Sequence, residues 1–238
     1  MVEPALQVSG LSAWYGATPV LREVSFSLLP GEVLLVLGRN GSGRSTLLKA
    51  IMGLISSQGS VRLQGLACEH WPTHQRVRQG LGYVPETRDI FPTLTVEQNL
   101  NLGLWQSTAQ WPPMQAEPSR NMPGWEVLRE RRSVPAGSLS GGEQQMLSLA
   151  RTLVAQPRVV LADEPTEGLA PQRVEQVAQH LQATVQSGTA WVLVEQKLQW
   201  ALPRAHRVLV LGRGQVVFEG SPAQLQAHRT VWQDWILS

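Results

Sequence analysis

The stretch that decides the fold runs Val33-Leu34-Leu35-Val36-Leu37-Gly38-Arg39-Asn40-Gly41-Ser42-Gly43-Arg44-Ser45-Thr46. Five apolar residues after the Pro30-Gly31 turn read as a buried strand. The glycine-rich segment opens into a helix that carries Leu47, Leu48, Ile51 and Met52 on one face. Glycines let successive backbone N–H groups turn toward one point, and the helix start adds partial positive charge, so strand, loop and helix together suit a phosphate. Gly38 to Ser45 has the spacing G-x-x-x-x-G-K-[ST], with Arg44 where a lysine is expected. Arg44 keeps the charge but is longer, planar and forked, which casts fast phosphate chemistry into question while leaving phosphate binding intact. Lys49 stands more than a turn further on and is badly placed to replace it. The Ser45 hydroxyl suits Mg²⁺, and the Thr46 hydroxyl suits a phosphate oxygen.

Working outward, Leu6 to Ser9 and Val24 to Leu28 read as strands, and Gln64-Gly65 marks a hairpin after Val61 to Leu63. Leu81 to Val84 is a short strand before Pro85. Leu94 to Leu104 has helical periodicity, with Thr95 and Gln98 at capping-box spacing. Residues 105–124 hold Pro112, Pro113, Pro118 and Pro123 among polar residues, and read as a loop or short linker. From Leu139 the order is helix (Gln145 to Ala155), strand (Val159 to Ala162), helix (Pro171 to Gln186) and strand (Trp191 to Val194). A further helix, two strands around Gly212 to Gly214 and a helical tail complete the chain. Alternating strands and helices imply an α/β fold with a mostly parallel sheet covered on both faces.

Two further motifs fall at strand and helix ends. Leu139-Ser140-Gly141-Gly142-Glu143-Gln144 reads locally as a capping box on Ser140 and Glu143, and it exposes glycine N–H groups at a positive helix start. Val159-Val160-Leu161-Ala162-Asp163-Glu164 is an apolar strand that ends in two carboxylates. There Asp163 suits Mg²⁺ through water, and Glu164 suits orienting or deprotonating an attacking water.

Composition narrows the setting. With 238 residues and 42% apolar content the chain can bury a substantial core, which argues against disorder. A net charge of +2 without a basic run gives no nucleic-acid stripe. One cysteine, Cys68, excludes an internal disulfide and reads as a buried thiol in a reducing compartment. Met1-Val2-Glu3-Pro4 lacks the basic start and apolar stretch of a signal peptide. No apolar run approaches the roughly 18 residues that span a bilayer, so membrane work requires another subunit.

Together these motifs resemble the ATP-binding cassette (ABC) family across nearly the whole chain. The resemblance implies one cassette over residues 2–238: a mostly parallel core sheet, an N-terminal antiparallel β part and a small helical subdomain over about 86–155. The Pro-rich stretch matches the family's helical region poorly and looks shortened. It also implies that two cassettes stack head to tail, each ATP lying between one chain's Gly38–Thr46 loop and the other's Leu139–Glu143 signature. By the same resemblance Tyr15 stacks on adenine, and Glu86, in place of a usual glutamine, touches Mg²⁺. Glu164 and Gln196 are then catalytic, Gln196 taking the place of the family's switch histidine. Tyr83-Val84-Pro85-Glu86, Leu94 to Leu100 and Leu193-Val194-Glu195-Gln196 look like the ATPase subunits of branched-chain amino acid and urea importers.

That subgroup implies a second ATPase subunit (a heterodimer first, a homodimer second), two integral membrane permease subunits and, indirectly, a periplasmic substrate-binding protein. It implies no nucleic-acid partner, and a peripheral site on the cytoplasmic side of the inner membrane. Four readings stay open: an ATPase energising an importer of branched-chain or neutral amino acids; the same for urea or short amides; a non-catalytic coupling subunit with a degenerate P-loop; and a soluble ABC ATPase.

Overall fold

Residues 33–37 form a strand buried along its whole length, as a central strand with both faces covered must be. The computed structural model describes residues 2–104 and 125–236; the stretch expected to be a loop, 105–124, lies outside the described residues. β1 (Leu6–Tyr15) and β2 (Thr18–Leu28) pair as a hairpin, and β3 (Val33–Leu37) leads through the glycine loop into α1 (Arg44–Met52). β4 (Ser56–Leu63) and β5 (Leu66–Ala67) make a second hairpin, followed by α2 (Thr73–Arg78) and β6 (Leu81–Val84). The helices α3 (Val96–Leu104), α4 (Glu126–Glu130) and α5 (Gly141–Leu153) come next. The chain then alternates through β7 (Val159–Asp163), α6 (Pro171–Gln186), β8 (Ala190–Val194), α7 (Leu198–Ala201) and β9 (Arg207–Gly212). It closes with β10 (Gln215–Gly220), α8 (Pro222–Ala227), α9 (Arg229–Val231) and a π turn at Trp232–Ile236.

Two sheets result. One is antiparallel, in the order β2-β1-β4-β5; the other runs β10-β9-β3-β8-β7-β6. In the second sheet β6, β7, β8, β3 and β9 are parallel, and only the edge strand β10 is antiparallel. Val36 and Asp163 both pair with Val194, so β3, β7 and β8 end level with one another. In open α/β sheets that carboxyl-terminal edge is where ligands bind.

Alternation along β3 splits the core. Val33, Leu35 and Leu37 pack with α5 and α6, whereas Leu34 and Val36 pack with α1 and the antiparallel sheet. Each fully buried leucine of this kind contributes about 2 kcal/mol. α1 buries the expected Leu47, Leu48, Ile51 and Met52 and stops at Gly53, whose φ of 72° is left-handed. Its last carbonyls are held from outside: buried Arg76 donates to Ile51 O at 2.5 Å and to Ala50 O at 3.4 Å.

Some boundaries differ from the sequence reading. β1 continues past Ser9 to Tyr15, and β2 begins at Thr18 instead of Val24. Register shifts after Val8, Leu11 and Ala13 break the period-2 pattern there. α5 begins at Gly141 and ends at Leu153, because Ser140 caps it. The expected capping box of α3 forms: Thr95 N–H donates to Gln98 Oε1 at 2.8 Å, and Gln98 N–H to Thr95 Oγ1 at 3.1 Å. Cys68 is a buried free thiol. Among the described residues no helix is long and apolar enough to cross a membrane.

Candidate nucleotide site

Four loops leave the carboxyl edge of the central sheet side by side, and each carries a motif from the sequence. The first is Gly38–Gly43. Only glycine fits at Gly38, where a Cβ would stand 2.4 Å from Leu211 O and 2.5 Å from Ser42 Oγ. Gly43, the N-cap of α1, has φ 103°, and a Cβ there would meet Leu21 Cδ2 at 2.7 Å. At Gly41, by contrast, nothing lies within 4 Å of a Cβ, so the crown of the loop is open. Buried Ser42 Oγ finds no hydrogen-bond partner among the described residues.

The loop after β7 faces it. Ser45 Oγ donates to Asp163 Oδ1 at 3.0 Å, joining the start of α1 to the end of β7. Asp163 is only 1% exposed, and burial pushes its carboxyl up to about 6. The Ser45 hydrogen bond and the charge of Lys49 pull the other way; the nearby carboxylates of Glu86 and Glu164 add to the rise. Lys49 therefore serves Asp163 electrostatically from the last turn of α1 while standing well away from the position of Arg44.

Glu164 takes a left-handed backbone conformation, φ 48°, which non-glycine residues adopt at a cost and which recurs at functional sites. Its N–H donates to Val194 O at 2.9 Å, fixing it against the end of β8. Its Oε1 receives Gln196 Nε2 at 2.7 Å and lies 3.5 Å from Arg44 Nη2. That same Arg44 nitrogen donates to Asn40 Oδ1 at 3.1 Å. Arg44 and Glu164 are both buried, so the pair is shielded from solvent. A cavity of about 350 Å³ opens here, between Gly38, Asn40 and Arg44 on one side and Gln196 and Ile236 on the other.

These residues fit a nucleotide with its metal. The loop crown is open, Ser42 offers an unused hydroxyl, and the cavity lining includes two guanidinium groups, Arg39 and Arg44, with the amides of Asn40 and Gln196. Ser45 and Asp163 make a two-oxygen set of the kind Mg²⁺ uses when water and phosphate complete its shell.

The structure thus gathers Arg44, Ser45, Asp163, Glu164 and Gln196 into one cluster, with Glu86, exposed after β6, near enough for its charge to act on Asp163. Tyr15 stands apart, half-exposed at the tip of the first hairpin. Leu139–Glu143 makes its contacts elsewhere. Ser140 Oγ donates to Glu143 Oε2 at 2.9 Å and accepts from Glu143 N at 3.4 Å, while Ser140 N–H donates to Glu143 Oε2 at 2.8 Å. Burial would raise the Glu143 carboxyl, but these hydrogen bonds and the charges of Arg131 and Arg173 hold it below the usual range. The helix start rests on the loop after β7, where Gln145 Nε2 reaches Pro165 O at 3.2 Å.

Sequence reasoning gave no role to three residues here. Arg88 lays its guanidinium over Gly141, where a Cβ would meet Nη1 at 2.6 Å. Ile236, at the far end of the chain, walls the cavity. Fully buried Glu195 bridges two loops. Arg88 and Ile236 carry no local pattern, and Glu195 enters only as part of Leu193–Gln196; its bond to Thr166 comes from chain-distant packing.

Fold and site together define a P-loop nucleotide-binding α/β protein. Residues 21–167 match the family model described as ABC transporter, and the chain belongs to the ABC transporter family, as one of its ATP-binding cassettes. The high-affinity branched-chain amino acid transport ATP-binding protein BraG of Pseudomonas aeruginosa is 35% identical over 221 residues, 92% of this chain and 94% of that relative. The probable branched-chain amino acid transport ATP-binding protein LivF of Archaeoglobus fulgidus is 34% identical over 231 residues, 94% of both chains. A solved ATP-binding subunit of an ABC transporter superposes with a TM-score of 0.83 at 26% identity, covering 95% of this chain and 94% of its own.

Proposed function

We propose that this chain binds and hydrolyses ATP to energise an ABC importer of branched-chain or other neutral amino acids. The observation that carries the reading is the Ser45–Asp163 hydrogen bond beside the Arg44–Glu164–Gln196 cluster, since side chains suited to a cation, a phosphate and a water meet at one sheet edge, which supports hydrolysis there. The names of the relatives at about 35% identity support the substrate class. Tyr15 stacks on adenine, and Gly38, Arg39, Asn40, Gly41, Ser42, Gly43, Arg44, Ser45 and Thr46 hold the phosphates. Ser45 and Asp163, joined by Glu86, hold Mg²⁺, which when bound neutralises charge on the phosphate oxygens. Glu164 orients and deprotonates the attacking water, and Gln196 steadies both Glu164 and the terminal phosphate.

The site is half a site. Leu139, Ser140, Gly141, Gly142 and Glu143 complete the nucleotide of a second cassette, whose own signature closes this one. The full assembly joins that second ATPase subunit, a different chain in the first reading, to two membrane permeases fed by a periplasmic binding protein. The chain works peripherally, on the cytoplasmic side. Residues 2–238 act as one cassette in which about 86–155 is the helical subdomain that meets the permease.

One observation favours a second reading, a coupling subunit that binds ATP but turns it over slowly. Arg44 lies on Glu164, the group that must reach water. Converting Arg44→Lys in the reconstituted assembly separates the two. On the first reading the wild type hydrolyses MgATP in a Glu164-dependent manner and the variant changes little. A large rise in turnover with lysine makes the coupling reading the correct one. Ligand screening of the accompanying binding protein then decides between neutral amino acids and urea or short amides.

A further inference from the structure

Glu195 is a fully buried carboxylate that borders the cavity beside Gln196 but turns its oxygens to protein donors. It is nonetheless well satisfied. Oε2 accepts the Thr166 hydroxyl at 2.6 Å, and Oε1 accepts the N–H groups of Gln196 at 2.9 Å and Lys197 at 3.2 Å. Thr166, also fully buried, returns a bond through its carbonyl, which accepts Lys197 Nζ at 2.6 Å. The same two loops are joined again by Gln196 Nε2 to Glu164 Oε1 at 2.7 Å.

Burying a carboxylate is costly even when it is hydrogen-bonded, and an apolar side chain would fill the space more cheaply. What an apolar residue lacks is two acceptor oxygens aimed at two different loops. One oxygen of Glu195 pins the backbone from which Gln196 projects; the other pins the residue two places after Glu164. The separation of Gln196 from Glu164 is therefore set by a group whose two oxygens are both engaged by the protein itself.

We propose that Glu195 is a positioning residue that locks the loops after β7 and β8 into one rigid piece, so that Gln196 moves only with the Glu164–Leu169 segment. Its consequence for turnover rests on the ATPase reading; the locking does not. The two are tested separately. Amide hydrogen exchange on the full chain, without nucleotide, reads the lock directly. Glu195→Ala is expected to speed exchange about tenfold in residues 195–198 and also in 164–169. Acceleration confined to 195–198 would overturn the proposal.

In the reconstituted assembly, Glu195→Ala is expected to lower kcat about tenfold or more, with KM for MgATP held within about twofold. Glu195→Gln should recover most of the loss. Its amide oxygen keeps both backbone N–H groups, and its NH₂ turns to the Thr166 hydroxyl. Combining Glu195→Ala with Gln196→Ala should cost no more than Gln196→Ala alone, because both remove the same placement. Losses that multiply, or a KM that rises at unchanged kcat, refute positioning. Thr166→Val replaces Glu195→Ala in every arm if the alanine variant does not fold. An assembly that never hydrolyses ATP ends the ATPase reading and leaves the exchange result to decide the lock.

Discussion

Asp163 is buried beside one hydroxyl donor and two other carboxylates, and the charged form suffers for it. Its carboxyl rises from an ordinary 3.8 to about 6, so between those values the folded chain holds a proton that the unfolded chain has lost. Stability conferred this way is present at low pH and falls as pH climbs, with a penalty on the order of 3 kcal/mol fully in place above about pH 6. Asp163→Asn keeps an oxygen for Ser45 and removes the charge. Free of metal and nucleotide, it is expected to melt about 6–12 °C above the wild type at pH 7.5, with the gap closing below about pH 4. Nucleotide binding by this variant should no longer respond to Mg²⁺. A melting temperature below that of the wild type at pH 7.5 would contradict the burial argument. At the next residue a guanidinium is in direct contact, since Arg44 Nη2 lies 3.5 Å from Glu164 Oε1. Glu164→Gln is expected to lower hydrolysis by about 10²–10⁴-fold through loss of the base. Releasing Arg44 to the phosphates should also tighten nucleotide binding, by about tenfold. Single-turnover hydrolysis and equilibrium titration check the two effects independently.

α5 has two duties that substitution can separate. Ser140 caps it, and removing such a cap costs about 1 kcal/mol, so Ser140→Ala should melt about 2–4 °C lower. Yet the contacts of the signature run to the loop after β7 and to Arg88, and on the two-cassette reading it serves the partner's nucleotide. Titration of the isolated variant with a fluorescent ATP analogue should therefore give the wild-type affinity, while turnover in the assembly falls. A weakened titration would place Ser140 in its own chain's site. What the residues reveal in advance follows the same division between local and distant causes. β3, β6, β7 and α6 were legible because a continuous apolar run or a 3.6-residue stripe is a local signal. So were the capping boxes of α3 and α5, which need only residues three apart. The length of β1 was hidden by bulges that put its exposed residues out of step. α2 was hidden because the side chain it buries is Arg76, whose purpose is to hold the end of another helix. At the site, each motif residue could be named, but that Arg44 rests on Glu164 could not, since no spacing encodes a contact across 120 positions.

The molecule as a whole is built so that its nucleotide loop belongs to both halves of the core. Odd and even residues of β3 enter opposite hydrophobic clusters, and β7, β8 and β9 divide in the same way. Melting either cluster would strip one face of the central sheet and expose strands that are buried along their whole length on the other. The antiparallel sheet shares its cluster with α1, so it too is coupled to the loop that precedes that helix. Unfolding should accordingly be one cooperative event. A ligand held at Gly38–Thr46 binds only when both clusters are intact, and it stabilises the folded chain by about 2.7 kcal/mol at a hundredfold excess over its dissociation constant. For a chain of this size that is a rise of about 5–10 °C in melting temperature. Scanning calorimetry with and without MgATP should therefore show a single transition that moves intact. Two transitions, with only one displaced by nucleotide, would mean that the clusters melt separately and that β3 does not transmit binding from one face of the sheet to the other.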